Sequence, residues 1–162
     1  LYFYQNYYSM IYTKSSTQRL PISMDVAWEF LSNPRNLKTI TPDYMSFNII
    51  SGADRKMYAG QIIQYIVTPV LGIKAKWVSE ITQVVEKEYF IDEQRFGPYA
   101  FWHHKHFIKE IEGGVEMEDI IDYKVPMGIL GQMVHPFLVQ PKLEEIFEYR
   151  RKKLIELFGE LK

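Results

Sequence analysis

The chain has 162 residues and a mass of 19.3 kDa, with 47% hydrophobic, 15% aromatic and 24% charged residues and a formal net charge of −1. That length supports one domain with a sizeable core, here taken as residues 1–162, and the composition is that of a folded globule and not a disordered segment. Near-neutral charge without a basic block excludes duplex nucleic acid as a partner; the lack of cysteine excludes disulfides, thiolate metal ligation and cysteine nucleophiles; no apolar run reaches the roughly 20 residues that span a bilayer.

The aromatic opening, with Tyr2, Phe3, Tyr4, Tyr7 and Tyr8, lacks the basic start and aliphatic run of a signal peptide. Residues 1–9 read as an N-terminal extension, either packed or poorly ordered, and the protein reads as soluble and cytoplasmic. A first strand is predicted over Ile11 to Leu20, closed by Pro21, which cannot donate to a ladder. Ser23 then offers an N-cap to a short helix with Val26, Ala27, Phe30 and Leu31 at helical spacing. Asn33 and Pro34 stop it, and Pro34 opens a second short helix over Arg35 to Ile40.

From Tyr44 the period changes to two. Strands are predicted over Ser46–Ser51, Gln61–Thr68, Ala75–Val84, Glu88–Phe96, Ala100–Ile111 and Val115–Lys124. Their separators are short turn sequences, so consecutive strands pair antiparallel as a meander. After Pro126 the chain turns helical. Leu143, Phe147, Arg150, Leu154, Leu157 and Leu161 fall on one stripe, widened by Ile146 and Phe158, while Pro141 predicts a kink or break. The result is an α+β fold: a curved antiparallel seven-stranded sheet, two short helices, and a long C-terminal helix that encloses a cavity against the sheet.

Alternation selects the residues that look into that cavity. Trp102, His104 and His106 share one strand face while Phe101, His103 and Lys105 take the other, and Lys105 belongs in water. On neighbouring strands Tyr65, Trp77, Asp92, Gln94, Asp119 and Tyr123 have inward parity, although a slip of one residue would reverse it. Arg150 either snorkels past the sheet edge or meets an anion: Asp119, Asp92 or a ligand carboxylate. Two imidazoles and a carboxylate also have the chemistry of a metal site, but hydrogen-bonded pocket residues account for them, and neither metal nor cofactor is assigned. The catalytic candidates are His104, His106 and Asp119, without any nucleophile motif, phosphate loop or cofactor fingerprint beside them.

The segments LPIS at 20–23, AWEFLSNPRNLKTITP at 27–42, DEQRFGPYAFWHHKHF at 92–107, DIIDY at 119–123 and IFEYRRKKL at 146–154 resemble the START-type, or SRPBCC, helix-grip superfamily of the major birch pollen allergen, polyketide cyclases and lipid-transfer domains. They are most similar to a bacterial ligand-binding subfamily often labelled "cell division inhibitor". The resemblance implies a helix-grip fold that holds a small hydrophobic or amphipathic ligand. It also implies two alternatives: a cyclase, dehydratase or hydrolase in which His104 or His106 moves a proton and Asp119 orients it, and a regulatory module with a reductase- or epimerase-type protein partner, since some relatives are fused to an epimerase-like domain.

Overall fold

Seven strands form one antiparallel sheet in the order β1-β7-β6-β5-β4-β3-β2, seen in a computed structural model that describes residues 10–68 and 72–161. The strands are β1 (Tyr12–Leu20), β2 (Asn48–Ser51), β3 (Gln61–Val67), β4 (Ala75–Val85), β5 (Tyr89–Phe96), β6 (Phe101–Ile111) and β7 (Gly114–Lys124). The predicted meander is therefore present from β2 to β7. The first strand lies against the last, from Tyr12 opposite Tyr123 to Leu20 opposite Val115. Extension 1–9 and residues 69–71 of the β3–β4 connection lie outside the described residues.

Opposite edges of the sheet are thus joined by residues 21–47. This stretch holds α1 (Met24–Leu31), capped by the Ser23 hydroxyl, which accepts from the Val26 N–H at 3.4 Å. The second predicted helix is a 3-10 turn, Pro34–Lys38, and a further one at Asp43–Met45 has no counterpart in the sequence reading. Leu20, Ala27, Ile40, Ile108, Val115, Met117 and Leu154 make the core that anchors this segment to β6, β7 and the C-terminal helix. Register shifts between Val78 and Ser79 and between Ile81 and Gln83 interrupt the β4–β5 ladder. Bulges of this kind bend a sheet, and the bend makes its inner face concave.

Helical structure near the C-terminus comes in three pieces: α2 (Gly128–Val134), a π-helical turn (His135–Val139) and α3 (Gln140–Phe158). Pro141 sits in the first turn of α3, where its missing N–H costs little, so the irregularity falls in the π turn ahead of it and not within the long helix. Leu143, Phe147 and Leu154 are buried on the predicted stripe. Leu157 departs from it at 43% exposure, and Leu161 lies past the end of α3. Helix α3 therefore grips the sheet through its first four turns.

The Leu154 side chain is 1% exposed, so Leu154→Ala is expected to cost about 2–5 kcal/mol in chemical denaturation. The half-exposed Leu157→Ala should stay within about 0.5 kcal/mol of the parent.

Candidate functional site

A cavity of about 160 Å³ lies between α3, the concave sheet face and the 21–47 segment. Leu37, Ile40 and Met45 form its roof, Ile63, Val67 and Ile81 its sheet floor, and Ile121, Leu143, Ile146 and Phe147 a third wall. Trp77, Tyr99 and Trp102 close one flank as a cluster, with the two indoles at 90° and their centroids 5.1 Å apart. The remaining wall is polar: Ser79, Asp92, His104, His106 and Arg150.

These polar groups come from four elements. Strand pairing places His104 opposite Asp92 and His106 opposite Asp119, so two carboxylates flank the imidazole pair from either side. The His106 Nε2 atom lies 3.0 Å from Asp92 Oδ2, and its Nδ1 lies 2.7 Å from Asp119 Oδ1. His104 sits against the same oxygens at longer range, with Nδ1 3.6 Å from Asp92 Oδ2 and Nε2 3.3 Å from Asp119 Oδ1. That second approach is not aligned as a hydrogen bond, and His104 Nε2 is buried without a partner. The imidazole centroids are 3.7 Å apart, and Phe90 stacks on His106 at 4.1 Å. From α3, Arg150 Nη1 reaches Asp119 Oδ2 at 3.3 Å. A chain of weaker bonds supports Asp92: the Trp77 indole N–H donates to Ser79 Oγ at 3.1 Å, and the Ser79 hydroxyl donates to Asp92 Oδ1 at 3.4 Å.

Burial and charge split the two histidines. Burial, reinforced by the charge of its neighbour His106, pulls His104 down to about 4, so it is neutral near pH 7. Burial acts the same way on His106, but hydrogen bonds to Asp119 and Asp92 outweigh it and raise the group above 6.5. Both carboxylates feel burial upward and are nevertheless lowered: Asp119 by the Arg150 charge and its bond from His106, Asp92 by its bond from His106 and the charges around it. Burial also raises the Tyr65 hydroxyl, which stays protonated.

Seven of the ten predicted binding residues line the cavity: Tyr65, Trp77, Asp92, Trp102, His104, His106 and Arg150. The other three do not. Gln94 turns back on the β5–β6 hairpin, where its amide donates to the Tyr99 carbonyl at 2.7 Å and accepts from the Tyr99 N–H at 3.2 Å. Tyr123 is screened by its own cluster with Leu143 and Phe147, and its hydroxyl lies 2.7 Å from His135 Nε2. Asp119 stands behind the histidines, facing a small hollow shared with Ser16, Gln18 and Arg150. Arg150 does not snorkel, because its side chain is only 14% exposed and is turned onto Asp119. The residues missed were Ser79 and Tyr99 and the roof. Ser79 shares parity with Trp77, but the roof lies on short 3-10 turns that carry no period to read.

No protein-family model matches the chain, and no curated protein sequence does. Solved structures do match. Protein Ms6760 from Mycobacterium smegmatis is 19% identical, with a TM-score of 0.63 covering 90% of this chain and 89% of that one. Ara h 8.0201 is 15% identical, with a TM-score of 0.58 covering 91% and 99%. Ginseng major latex-like protein 151 from Panax ginseng is 11% identical, with a TM-score of 0.66 covering 92% and 98%. At these identities the likeness shows the fold, and it is the expected helix-grip fold; it gives the cell-division label of the resembling subfamily no support. No helix among the described residues is long and apolar enough to cross a membrane.

The split histidines predict a two-sided pH dependence of stability. His106 is held above 6.5 in the fold, so its contribution is complete below 6.5 and is lost as pH rises through the raised value. His104 is held down to about 4, so the unfolded chain takes up its proton first and stability falls from pH 6.5 toward 4, in the same direction as the lowered His135. The lowered carboxylates add a further loss as pH drops below 3.8. Melting temperatures measured across pH should pass through a maximum, and His106→Gln should flatten the alkaline limb.

Proposed function

We propose that the protein binds a small, mainly apolar molecule with one polar group, held between the sheet and α3. The observation that carries this reading is an apolar cavity with a single polar wall of Ser79, Asp92, His104, His106 and Arg150, in which the Nε atom of Arg150 is buried without a hydrogen-bond partner. A ligand acceptor or donor brought to that wall meets groups already fixed by their neighbours, so little ordering accompanies binding. The volume is that of about five water molecules, which suits a compound with one ring. Burying about 150 Å² of such a molecule contributes roughly 4 kcal/mol, so the polar contacts decide which ring compounds are retained.

A second reading is supported by the opposite pKa shifts of adjacent imidazoles, His104 lowered to about 4 and His106 raised. A weakened base beside a ring that holds its proton more firmly is a pairing that general acid–base chemistry uses, and a carbonyl substrate of a cyclase or dehydratase would meet both. His104 would accept the proton, His106 would donate one, and Asp119 would hold both rings in position. An exposed apolar face at Met127, Leu130, Met133 and Phe137 favours a protein partner, though it gives no reason to choose a reductase or an epimerase.

Native mass spectrometry of freshly purified protein, combined with titration by one-ring carboxylates and phenols, tests the binding reading. Saturable 1:1 binding that changes the fluorescence of Trp77 and Trp102 is expected, and Ile146→Trp, which fills the cavity from α3, should weaken it at least about tenfold. A protein that retains and takes up none of these compounds has only a loosely packed core.

A further inference from the structure

Among the described residues, Asp92, His104 and His106 bring three metal-type donors within 4.8 Å of one another. The carboxylate oxygen Asp92 Oδ2 lies 3.0 Å from His106 Nε2 and 3.6 Å from His104 Nδ1. Donors bound to zinc at about 2.0–2.1 Å in a tetrahedron stand about 3.3 Å apart, and the two separations bracket that edge. We propose that these three side chains form a divalent transition-metal site of the zinc type, with Asp92 Oδ2, His104 Nδ1 and His106 Nε2 as ligands and the fourth position toward the cavity.

The surroundings argue for this beyond the donor set itself. Each imidazole presents one nitrogen to Asp92 and the other to Asp119: His106 Nδ1 at 2.7 Å and His104 Nε2 at 3.3 Å from the same Asp119 oxygen. A carboxylate on the far nitrogen is what fixes a ligating imidazole's tautomer and raises its basicity toward a metal, and Asp119 lies close enough to do this for His106 and to take the His104 Nε2 proton after a small rotation of that ring. His104 Nε2 otherwise has no partner although its side chain is only 6% exposed, and the tautomer required for ligation through Nδ1 places its proton toward Asp119. Ser79 steadies the other oxygen of Asp92, at 3.4 Å. Arg150 neutralises Asp119 and leaves the Asp92 charge to the cation. A mixed imidazole and carboxylate set suits zinc, iron(II) or cobalt(II) and not magnesium or calcium, which prefer oxygen alone. The cation takes the place of the proton between His106 and Asp92. The site stands on these donors and not on the ligand reading, and either can fail without the other.

The test is calorimetric titration of chelator-treated full-length protein with zinc(II), and cobalt(II) as a spectroscopic probe. Binding of one ion per chain is expected, with the intense visible bands of four-coordinate cobalt. His104→Gln and Asp92→Asn should each weaken zinc at least about 100-fold, and Asp119→Asn about 10–100-fold. His103→Ala is the control, because His103 lies on the outer face, 3.0 Å from Glu93, and could collect zinc adventitiously. Should the cavity variants misfold, nitrogen NMR of the parent protein decides: zinc must shift His104 Nδ1 and His106 Nε2. Absence of binding, binding that disappears in His103→Ala but persists in His104→Gln, or unshifted cavity imidazoles would each overturn the proposal.

Discussion

Asp119 is the constraint on which the site depends. It takes the Arg150 guanidinium from α3 on one oxygen and faces both histidines of β6 with the other. Helix and sheet are therefore joined by charge between the apolar cavity on one side and a small polar hollow with Ser16 and Gln18 on the other. A buried carboxylate is costly alone, and here it persists because cations from two elements converge on it. The arrangement is possible only in the observed ladder: His106 directly opposite Asp119 and His104 directly opposite Asp92. Moving β7 by one residue would replace Asp119 by Glu118 or Ile120 and turn the carboxylate outward. The register that builds the core also assembles the cluster.

The cavity beside this cluster has its own cost. At roughly 24 cal/mol per Å³, an unfilled space of about 160 Å³ costs on the order of 4 kcal/mol of packing, a large fraction of a domain's stability. The chain has ample bulk to close it. Trp77, Tyr99 and Trp102 are all present at the wall, yet Trp77 packs edge to face against the other two, which are tilted on each other, and the centre is left open. The curvature from the β4–β5 bulges holds the floor away from α3, and the 3-10 turns hold the roof at a distance that side chains there do not span. Stability surrendered in a compact domain points to use of the space.

Much of this was legible because strands have a period of two. The inward set Trp102, His104 and His106 followed from Lys105 having to face outward, and Asp119, Tyr65 and Trp77 followed from the parity of their own strands. Parity gave direction but not depth. Tyr123 points inward and is nevertheless screened from the cavity by Leu143 and Phe147, while Gln94 has inward parity and closes its own hairpin. Arg150 could be placed on the α3 stripe, but its alternatives were separated only by the crossing of helix and sheet. The π turn ahead of Pro141 shows the same limit: a proline predicts a lost hydrogen bond, and the neighbouring turn decides where the helix absorbs it.

The two histidines are shifted in opposite directions although they lie two residues apart on one strand, and the difference lies in where each nitrogen falls. His106 Nε2 is hydrogen-bonded to Asp92 at 3.0 Å and its Nδ1 lies 2.7 Å from Asp119, whereas His104 meets the same carboxylates at longer range and out of line. Shorter carboxylate contacts therefore favour the proton on His106, while on His104 burial outweighs the more distant carboxylates. The polar wall of the cavity is poised between arrangements that share one geometry and differ in charge. A proton between His106 and Asp92, a cation among the three donors, or a ligand group at Arg150 each satisfies part of the cluster, and the first two exclude each other because they occupy the same edge of Asp92. Apolar contacts set the size of what enters, and the occupant of that edge sets its charge.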